Sequence, residues 1–243
     1  MMPIESVNGK IDLNCVDEHI QILSSLRPHG QKPGCISLTQ ATECGAVYTI
    51  KELEEISEFC KKHSLPLHMD GARFANSLAH LKCQPADITW KVDVDIMSFG
   101  ATKNGALCAE AIIFFNHKYA ENFDYLHKRS GQLMSKSRFF ACQLLVYLEE
   151  DLWLKNARNA NQKAQELAQI FRKYNIQIVN EVEANELFVK LSLECSEYLQ
   201  KKDCDFYSWG LPNSDLYRFV TSWVTSRSDI EKVDACLASY QRR

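Results

Sequence analysis

Short apolar segments alternate with amphipathic helical segments through the first half of the chain, and this alternation limits the folds open to it. The apolar segments have the length of strands and span residues 34–39, 67–69, 92–99 and 109–115. They are mostly apolar rather than strictly alternating, which is typical of parallel strands covered on both faces. We therefore predict an α/β fold with a mostly parallel sheet, in which ligands bind at the carboxyl ends of the strands.

Helical periodicity fills the gaps between these strands. It predicts helices at residues 16–26, 51–63 and 74–81. The second helix follows Thr49, and Thr49 and Glu52 have the spacing of a capping box.

The pattern changes after residue 123. Residues 124–173 are predicted to form near-continuous helix, because they contain no proline and only Gly131 as a glycine. Later residues predict strands at 176–179, 186–193 and 216–223 and helices at 194–201 and 229–240, the last capped by Ser228. We predict three parts: a large domain over residues 1–123, a long helical connection over 124–173, and a small α+β domain over 174–243.

Composition and charge exclude several classes of protein. The chain is 46% hydrophobic with a net charge of -3, and its basic residues are scattered, so we expect no nucleic-acid or membrane partner. No apolar run reaches the roughly 20 residues of a membrane span. The ten cysteines include no Cys-x-x-Cys pair and predict no metal site. We expect a cytoplasmic protein with reduced thiols.

Two ionisable residues each follow a predicted strand. Asp70 lies in the segment LHMDGAR, and Lys103 lies in SFGATKNG. A lysine that binds an aldehyde and an acid that keeps a ring nitrogen protonated are the groups that pyridoxal phosphate chemistry requires. The alternatives are a surface lysine and a helix N-cap.

Three longer segments carry a family resemblance. Residues 67–81 (LHMDGARFANSLAHL), 98–115 (SFGATKNGALCAEAIIFF) and 217–224 (YRFVTSWV) resemble the low-specificity L-threonine aldolases, and residues 37–43 and 150–157 extend the likeness. These enzymes belong to the β-eliminating lyase group and have the aspartate aminotransferase fold. The resemblance implies pyridoxal 5'-phosphate as cofactor, a partial three-layer large domain, and a homodimer or higher homo-oligomer.

The resemblance also implies roles for five residues. Lys103 binds the cofactor aldehyde, Asp70 pairs with the ring nitrogen, and Arg73 contacts the phenolic oxygen, the alternative for Arg73 being a solvated or ion-paired arginine. Thr102, next to Lys103, either donates its hydroxyl to the phosphate, which we favour, or helps set the strand end. Arg218 holds the α-carboxylate of an amino-acid substrate, because a planar guanidinium suits a carboxylate, and the alternative is an edge-strand arginine facing water.

These roles imply retro-aldol cleavage of a β-hydroxy-α-amino acid, such as threonine or allo-threonine, to glycine and an aldehyde. The base that takes the β-hydroxyl proton is left open between His29 and His68, and packing near the cofactor is the alternative for His68. Ser98 either contacts the phosphate or sets the strand end. Arg129 either reaches a phosphate, across a dimer interface, or lies on a solvated helix surface.

One departure from the family concerns the phosphate. The complete enzymes hold it in a loop with glycine and threonine at a helix N-terminus, and an aromatic or imidazole ring stacks on the cofactor. No such loop precedes Asp70 here, so we expect a chain that lacks the N-terminal part and is weak or inactive alone. The alternatives are another pyridoxal phosphate lyase or aminotransferase, and a non-catalytic remnant that acts as an interaction protein.

Overall fold

The computed structural model describes residues 2–211 and 214–242, and its larger sheet has four strands. A short hairpin of β1 (Ser6–Val7) and β2 (Lys10–Ile11) precedes β3 (Ile36–Thr39), β4 (Leu67–Gly71), β5 (Ile96–Gly100) and β6 (Glu110–Phe114). The order in the larger sheet is β3-β4-β5-β6, with the first two pairings parallel and the third antiparallel. The predicted mostly parallel sheet is confirmed. β6 runs antiparallel because the connection from Gly100 to Glu110 is too short for a crossover.

The two faces of this sheet differ. Leu38, Met69, Met97 and Phe99 point to one face and are buried against helices. The opposite face carries polar side chains that are half-buried or exposed, namely Ser37, Thr39, His68, Asp70 and Ser98. The expectation of strands covered on both faces is therefore wrong within the described residues, since β3 and β4 alternate between apolar and polar sides.

Three helices surround the strands. They are α1 (Leu13–Ser25), α2 (Ile50–His63) and α3 (Phe74–Leu81). The predicted capping box is confirmed, because Thr49 Oγ1 accepts from the Glu52 amide at 3.2 Å and Glu52 Oε2 accepts from the Thr49 amide at 2.7 Å. The strand predicted from residue 92 is wrong at its start: residues 90–92 form a 3-10 turn, and Asp93 has a left-handed φ of 54°.

The near-continuous helix predicted for residues 124–173 is broken twice. The structure has α4 (Phe123–Arg129), α5 (Arg138–Leu148) and α6 (Leu152–Lys173). The first break contains Gly131, with φ of +76°. The second lies at Glu150 and Asp151, whose φ values of 48° and 56° are also left-handed. A left-handed residue cannot continue a right-handed helix, so the chain changes direction there.

The second sheet lies in the C-terminal part. Its elements are β7 (Glu186–Lys190), α7 (Leu193–Gln200), β8 (Tyr207–Ser208), β9 (Leu216–Val220) and α8 (Arg227–Gln241). The strand order is β7-β9-β8, all antiparallel. Residues 176–179 form only an isolated bridge between Ile178 and Val189, so the strand predicted there is wrong. The predicted cap Ser228 is also wrong, because Ser226 caps α8 through a capping box with Asp229.

Two hydrophobic cores are joined by one helix. Trp153 and Ala157 of α6 belong to the core around β3, β4 and β5, whereas Leu167 and Phe171 of the same helix belong to the core of the second sheet. α6 therefore packs in both cores and connects the two sheets. The division into three parts at residues 123 and 173 stays a prediction.

Candidate functional site

The edge where β4 and β5 end brings the predicted lysine and aspartate close in the fold. Asp70 on β4 pairs in register with Ser98 on β5, and Lys103 lies in a single 3-10 turn just beyond β5. Asp70 Oδ1 accepts a hydrogen bond from the Ala72 amide at 2.9 Å. The residue at the N-cap of α3 is Arg73, so the alternative that Asp70 caps this helix is wrong.

Glu43 is the residue around which the predicted cations meet. Its Oε1 lies 3.4 Å from Arg73 Nη1 and 3.9 Å from Lys103 Nζ, and its Oε2 lies 3.7 Å from Arg218 Nη1. The Glu43 side chain is 53% exposed. The structure thus gathers three of the five residues predicted from sequence within ion-pair distance of one solvent-accessible carboxylate.

Polar side chains fix the loop that carries Glu43. Gln40 is fully buried, and its side-chain amide exchanges two hydrogen bonds of 2.9 Å with the backbone of Tyr48. Thr42 is also buried; its hydroxyl donates to the Asn8 carbonyl at 2.8 Å and accepts from the Ala46 amide at 3.1 Å. These bonds on both sides hold the backbone of Glu43 in place while its side chain stays accessible.

A second carboxylate lies beneath the first. Glu186 on β7 is fully buried; its Oε1 is 2.8 Å from Arg73 Nη2 and 3.5 Å from Arg218 Nη1. These contacts lack the angles of a hydrogen bond, so neither oxygen accepts a regular hydrogen bond from a described residue. Burial raises the pKa of Glu186, while the charges of Arg73 and Arg218 oppose that rise.

Arg218 lies on the central strand of its sheet rather than on an edge. Its guanidinium carbon is 4.7 Å from the centre of the Trp209 ring and 5.5 Å from that of Tyr207, and the side chain is 17% exposed. The alternative of an edge-strand arginine facing water is therefore wrong. Arg218 Nε is buried and has no hydrogen-bond partner among residues 2–211 and 214–242. This nitrogen is therefore an unsatisfied buried donor among the described residues.

His68 is held between two serines on the polar face of the sheet. Its Nδ1 lies 2.8 Å from Ser37 Oγ and its Nε2 lies 3.1 Å from Ser98 Oγ. Burial lowers the pKa of His68, and the charge of Asp70 partly opposes this. The imidazole is therefore neutral near pH 7, with both ring nitrogens already engaged.

The remaining predicted residues lie around this cluster. Thr102 precedes Lys103, is half-buried, and donates its amide to Glu110 Oε1 at 3.2 Å. Arg129 is exposed at the last residue of α4, and His29 is exposed in the turn after α1. The phosphate roles of Thr102 and Arg129 stay predictions.

Sequence reasoning missed both carboxylates, although each carried a signal. Glu186 begins the apolar segment ELFVK, and a charged residue in a buried strand needs a partner, which is the rule that singled out Arg218. Glu43 ends the segment of residues 37–43 that contributed to the family resemblance, and the resemblance implies that residues 39–43 face the substrate, although it gives Glu43 no role of its own. Nothing in the sequence alone indicated that either one faces Arg73.

Neither a metal site nor a membrane-spanning helix is found in the described part of the chain. No group of three or more histidines, cysteines, aspartates or glutamates there is arranged to hold a metal ion. Among the described helices, none has the length and apolar character needed to cross a membrane.

Comparison with known proteins gives matches over most of the chain. Residues 1–194 match the family described as Beta-eliminating lyase. The low-specificity L-threonine aldolase of Pseudomonas sp. (strain NCIMB 10558) is 43% identical over 208 residues, which cover 85% of this chain and 60% of that protein. The Pseudomonas aeruginosa protein of the same name is 45% identical over 206 residues, covering 84% of this chain and 58% of that protein.

A solved structure shows the same fold. The structure of Leishmania major threonine aldolase superposes with a TM-score of 0.89 at 28% sequence identity, covering 96% of this chain and 68% of that chain. The chain spans about 60% of the length of the Pseudomonas sp. relative.

Proposed function

Because the chain belongs to the β-eliminating lyase family, we propose that its site cleaves β-hydroxy-α-amino acids by a retro-aldol reaction. With L-threonine the products are glycine and acetaldehyde. The observation that carries the proposal is the convergence of Arg73, Lys103 and Arg218 on Glu43. Relatives named low-specificity L-threonine aldolase at 43% and 45% identity support this choice among the reactions of the family.

The residues present suit pyridoxal 5'-phosphate. Lys103 offers a half-exposed amine whose one described ion-pair contact, to Glu43, is long at 3.9 Å. Asp70 offers a carboxylate on the open face of the sheet, with Oδ1 anchored by the Ala72 amide. When bound, this cofactor accepts into its ring the electron pair that bond cleavage leaves at Cα.

Each predicted residue has a defined task in this proposal. Lys103 would hold the cofactor through its aldehyde, and its amine would hold or move a proton at Cα. Asp70 would keep the ring nitrogen protonated, Arg73 would hold the phenolic oxygen, and the Thr102 hydroxyl would donate to the phosphate. The charge of Glu186 balances Arg73 from the buried side.

Arg218 binds the α-carboxylate of the substrate. Its buried Nε has no hydrogen-bond partner among the described residues, and the guanidinium lies over the aromatic rings of Tyr207 and Trp209, which favour one orientation of its plane. The planar guanidinium, 17% of whose side chain is exposed, is suited to a bidentate contact with a carboxylate. Fixing the carboxylate fixes the orientation of the bonds at Cα.

The proposal includes a homo-oligomer. The exposed side chains of α5 and its neighbourhood form an apolar surface, which we call the α5 face, made of Leu107, Leu133, Met134, Phe139, Leu145 and Val146. Monomeric proteins rarely expose so many contiguous apolar residues, so a second copy of this chain is the occupant we propose. We also propose a cytoplasmic location, since all ten cysteines are free thiols, as a reducing compartment keeps them.

One experiment tests the reaction. The purified chain is incubated with pyridoxal 5'-phosphate and L-threonine, and glycine and acetaldehyde are quantified. We expect the two products in equal amounts, at a low rate for the chain alone. Formation of a 2-oxo acid instead would favour an aminotransferase, and no product with a folded, cofactor-loaded chain would favour the non-catalytic remnant.

A further inference from the structure

Retro-aldol cleavage requires a group that takes the proton of the β-hydroxyl, and neither histidine suggested by the sequence suits this task. His68 has both ring nitrogens engaged, by Ser37 and Ser98. His29 is exposed beyond α1, and no contact in the described residues links it to Lys103 or Arg218. The base is therefore another group of the site.

Lys103 and Arg218 mark where the substrate lies. Arg218 holds its carboxylate, and Lys103 marks where its amino group reacts. Both groups are attached to Cα, so the β-hydroxyl oxygen is three bonds from the amino nitrogen and three bonds from the carboxylate carbon. Glu43 Oε1 is 3.9 Å from Lys103 Nζ and its Oε2 is 3.7 Å from Arg218 Nη1, so its carboxylate contacts both groups that would hold the substrate and is the acceptor available to a β-hydroxyl bound between them.

Glu43 also differs from Glu186 in a way that suits a base. Glu43 is 53% exposed, so a substrate can reach it, whereas Glu186 is fully buried beneath the arginines. Because Glu186 already balances Arg73 and Arg218, Glu43 can give up its contact with Arg218 when the substrate carboxylate arrives. The buried loop residues Gln40 and Thr42 keep its backbone in position meanwhile.

We propose that Glu43 holds the β-hydroxyl of the substrate and receives its proton, an inference that rests on the proposed function. The hydroxyl proton moves to Glu43, the O–H electron pair forms the carbonyl bond of the aldehyde, and the Cα–Cβ bond breaks. Its electron pair stays at Cα, which takes up a proton to give glycine, and Glu43 then releases its proton to water. Atoms and electrons balance without an oxidant or reductant.

The test compares Glu43→Gln with the wild-type chain in two reactions. Threonine cleavage needs the hydroxyl proton to be removed, whereas exchange of the glycine α-proton in D₂O, followed by NMR, needs the cofactor and Lys103 but no such base. We expect Glu43→Gln to lower kcat for L-threonine about 100-fold, with KM changed less than threefold and glycine exchange changed less than twofold.

Two controls separate this role from a structural one. Glu43→Asp keeps the acid and recovers part of the rate, and Glu54→Gln changes an exposed glutamate on α2 and leaves both reactions unaltered. The Lys103-dependent absorbance of the bound cofactor is expected to be the same in all variants. This readout reports an intact site independently of turnover.

The outcomes distinguish the proposed role of Glu43 as base from the proposed retro-aldol function. If wild type and Glu43→Gln cleave threonine equally, Glu43 is not the base and the proposed function stands. If Glu43→Gln loses glycine exchange and absorbance as well, its role is structural and the inference is overturned. A cofactor-loaded wild type that exchanges glycine but does not cleave threonine contradicts the proposed function, and the inference falls with it.

Discussion

Glu186 Oε1 lies 2.8 Å from Arg73 Nη2, and this buried ion pair joins β7 of the second sheet to the edge of the first. Glu186 is fully buried and Arg73 is 6% exposed, so both charges depend on each other rather than on water. Arg218 shares the same carboxylate at 3.5 Å. One buried glutamate thus sets the positions of two arginines that lie far apart in the sequence.

Removing that carboxylate is expected to destabilise the protein. Glu186→Ala leaves Arg73 with only the longer contact to Glu43, and breaking a buried pair costs about 3–5 kcal/mol. Urea unfolding of wild type and Glu186→Ala measures the difference, with the exposed Glu54→Gln as control. An unfolding free energy equal to that of wild type would show that the pair contributes nothing to stability.

His68 makes the stability depend on pH. Its pKa is lowered by burial in the folded state, so the unfolded chain binds a proton more readily, and stability is lost as pH falls below about 6.5. Between pH 7 and pH 5 the wild type is expected to lose more unfolding free energy than His68→Gln, which cannot be protonated. Equal losses of unfolding free energy in the two proteins would contradict a neutral, half-buried His68 imidazole.

Much of this fold follows from sequence, and the exceptions have physical reasons. α3 has the predicted bounds because its apolar spacing is regular, and the reversal at Lys82, with φ of 53°, ends it. The cap of α8 was placed at Ser228 although the capping-box spacing from Ser226 to Asp229 was present in the sequence. The break after α5 was not predicted because Glu150 and Asp151 adopt left-handed φ values that their residue types do not require.

The residues of the candidate site also divide into those that the sequence predicts and those that only the structure shows. Lys103, Asp70, Arg73 and Arg218 were predicted from residue type, context and resemblance, because local sequence places the first three near the ends of β4 and β5 and Arg218 within β9. Their common neighbour Glu43 was not found, because ion pairs between distant segments depend on how the two sheets pack. Packing of this kind leaves no periodic pattern in the sequence.

Arg218→Lys tests the carboxylate contact. Lysine keeps the charge but loses the bidentate geometry and the stacking on Trp209. We expect KM for L-threonine to rise about 10- to 100-fold, while the Lys103-dependent absorbance is unchanged. Steady-state kinetics over a range of threonine concentrations measures this, and an unaltered KM would remove Arg218 from substrate binding.

Leu145→Glu tests the proposed association through the α5 face. Leu145 is 73% exposed, so a charge there costs a monomer little but opposes burial against a second copy. Light scattering after gel filtration is expected to show a smaller particle than wild type. Leu193→Glu, at a 70% exposed position on α7, is the matched control and is expected to leave the particle unchanged. Equal masses for wild type and Leu145→Glu would contradict association through this face.

The proposed retro-aldol function depends most directly on Lys103, which must carry the cofactor within the cluster of Asp70, Arg73 and Arg218. The most direct measurement loads the chain with pyridoxal 5'-phosphate, reduces the covalent link with borohydride, and locates the added mass by peptide mass spectrometry. We expect the added mass on Lys103 in the wild-type chain and its loss in Lys103→Ala. Modification of another lysine, or of none in a folded chain, would contradict it.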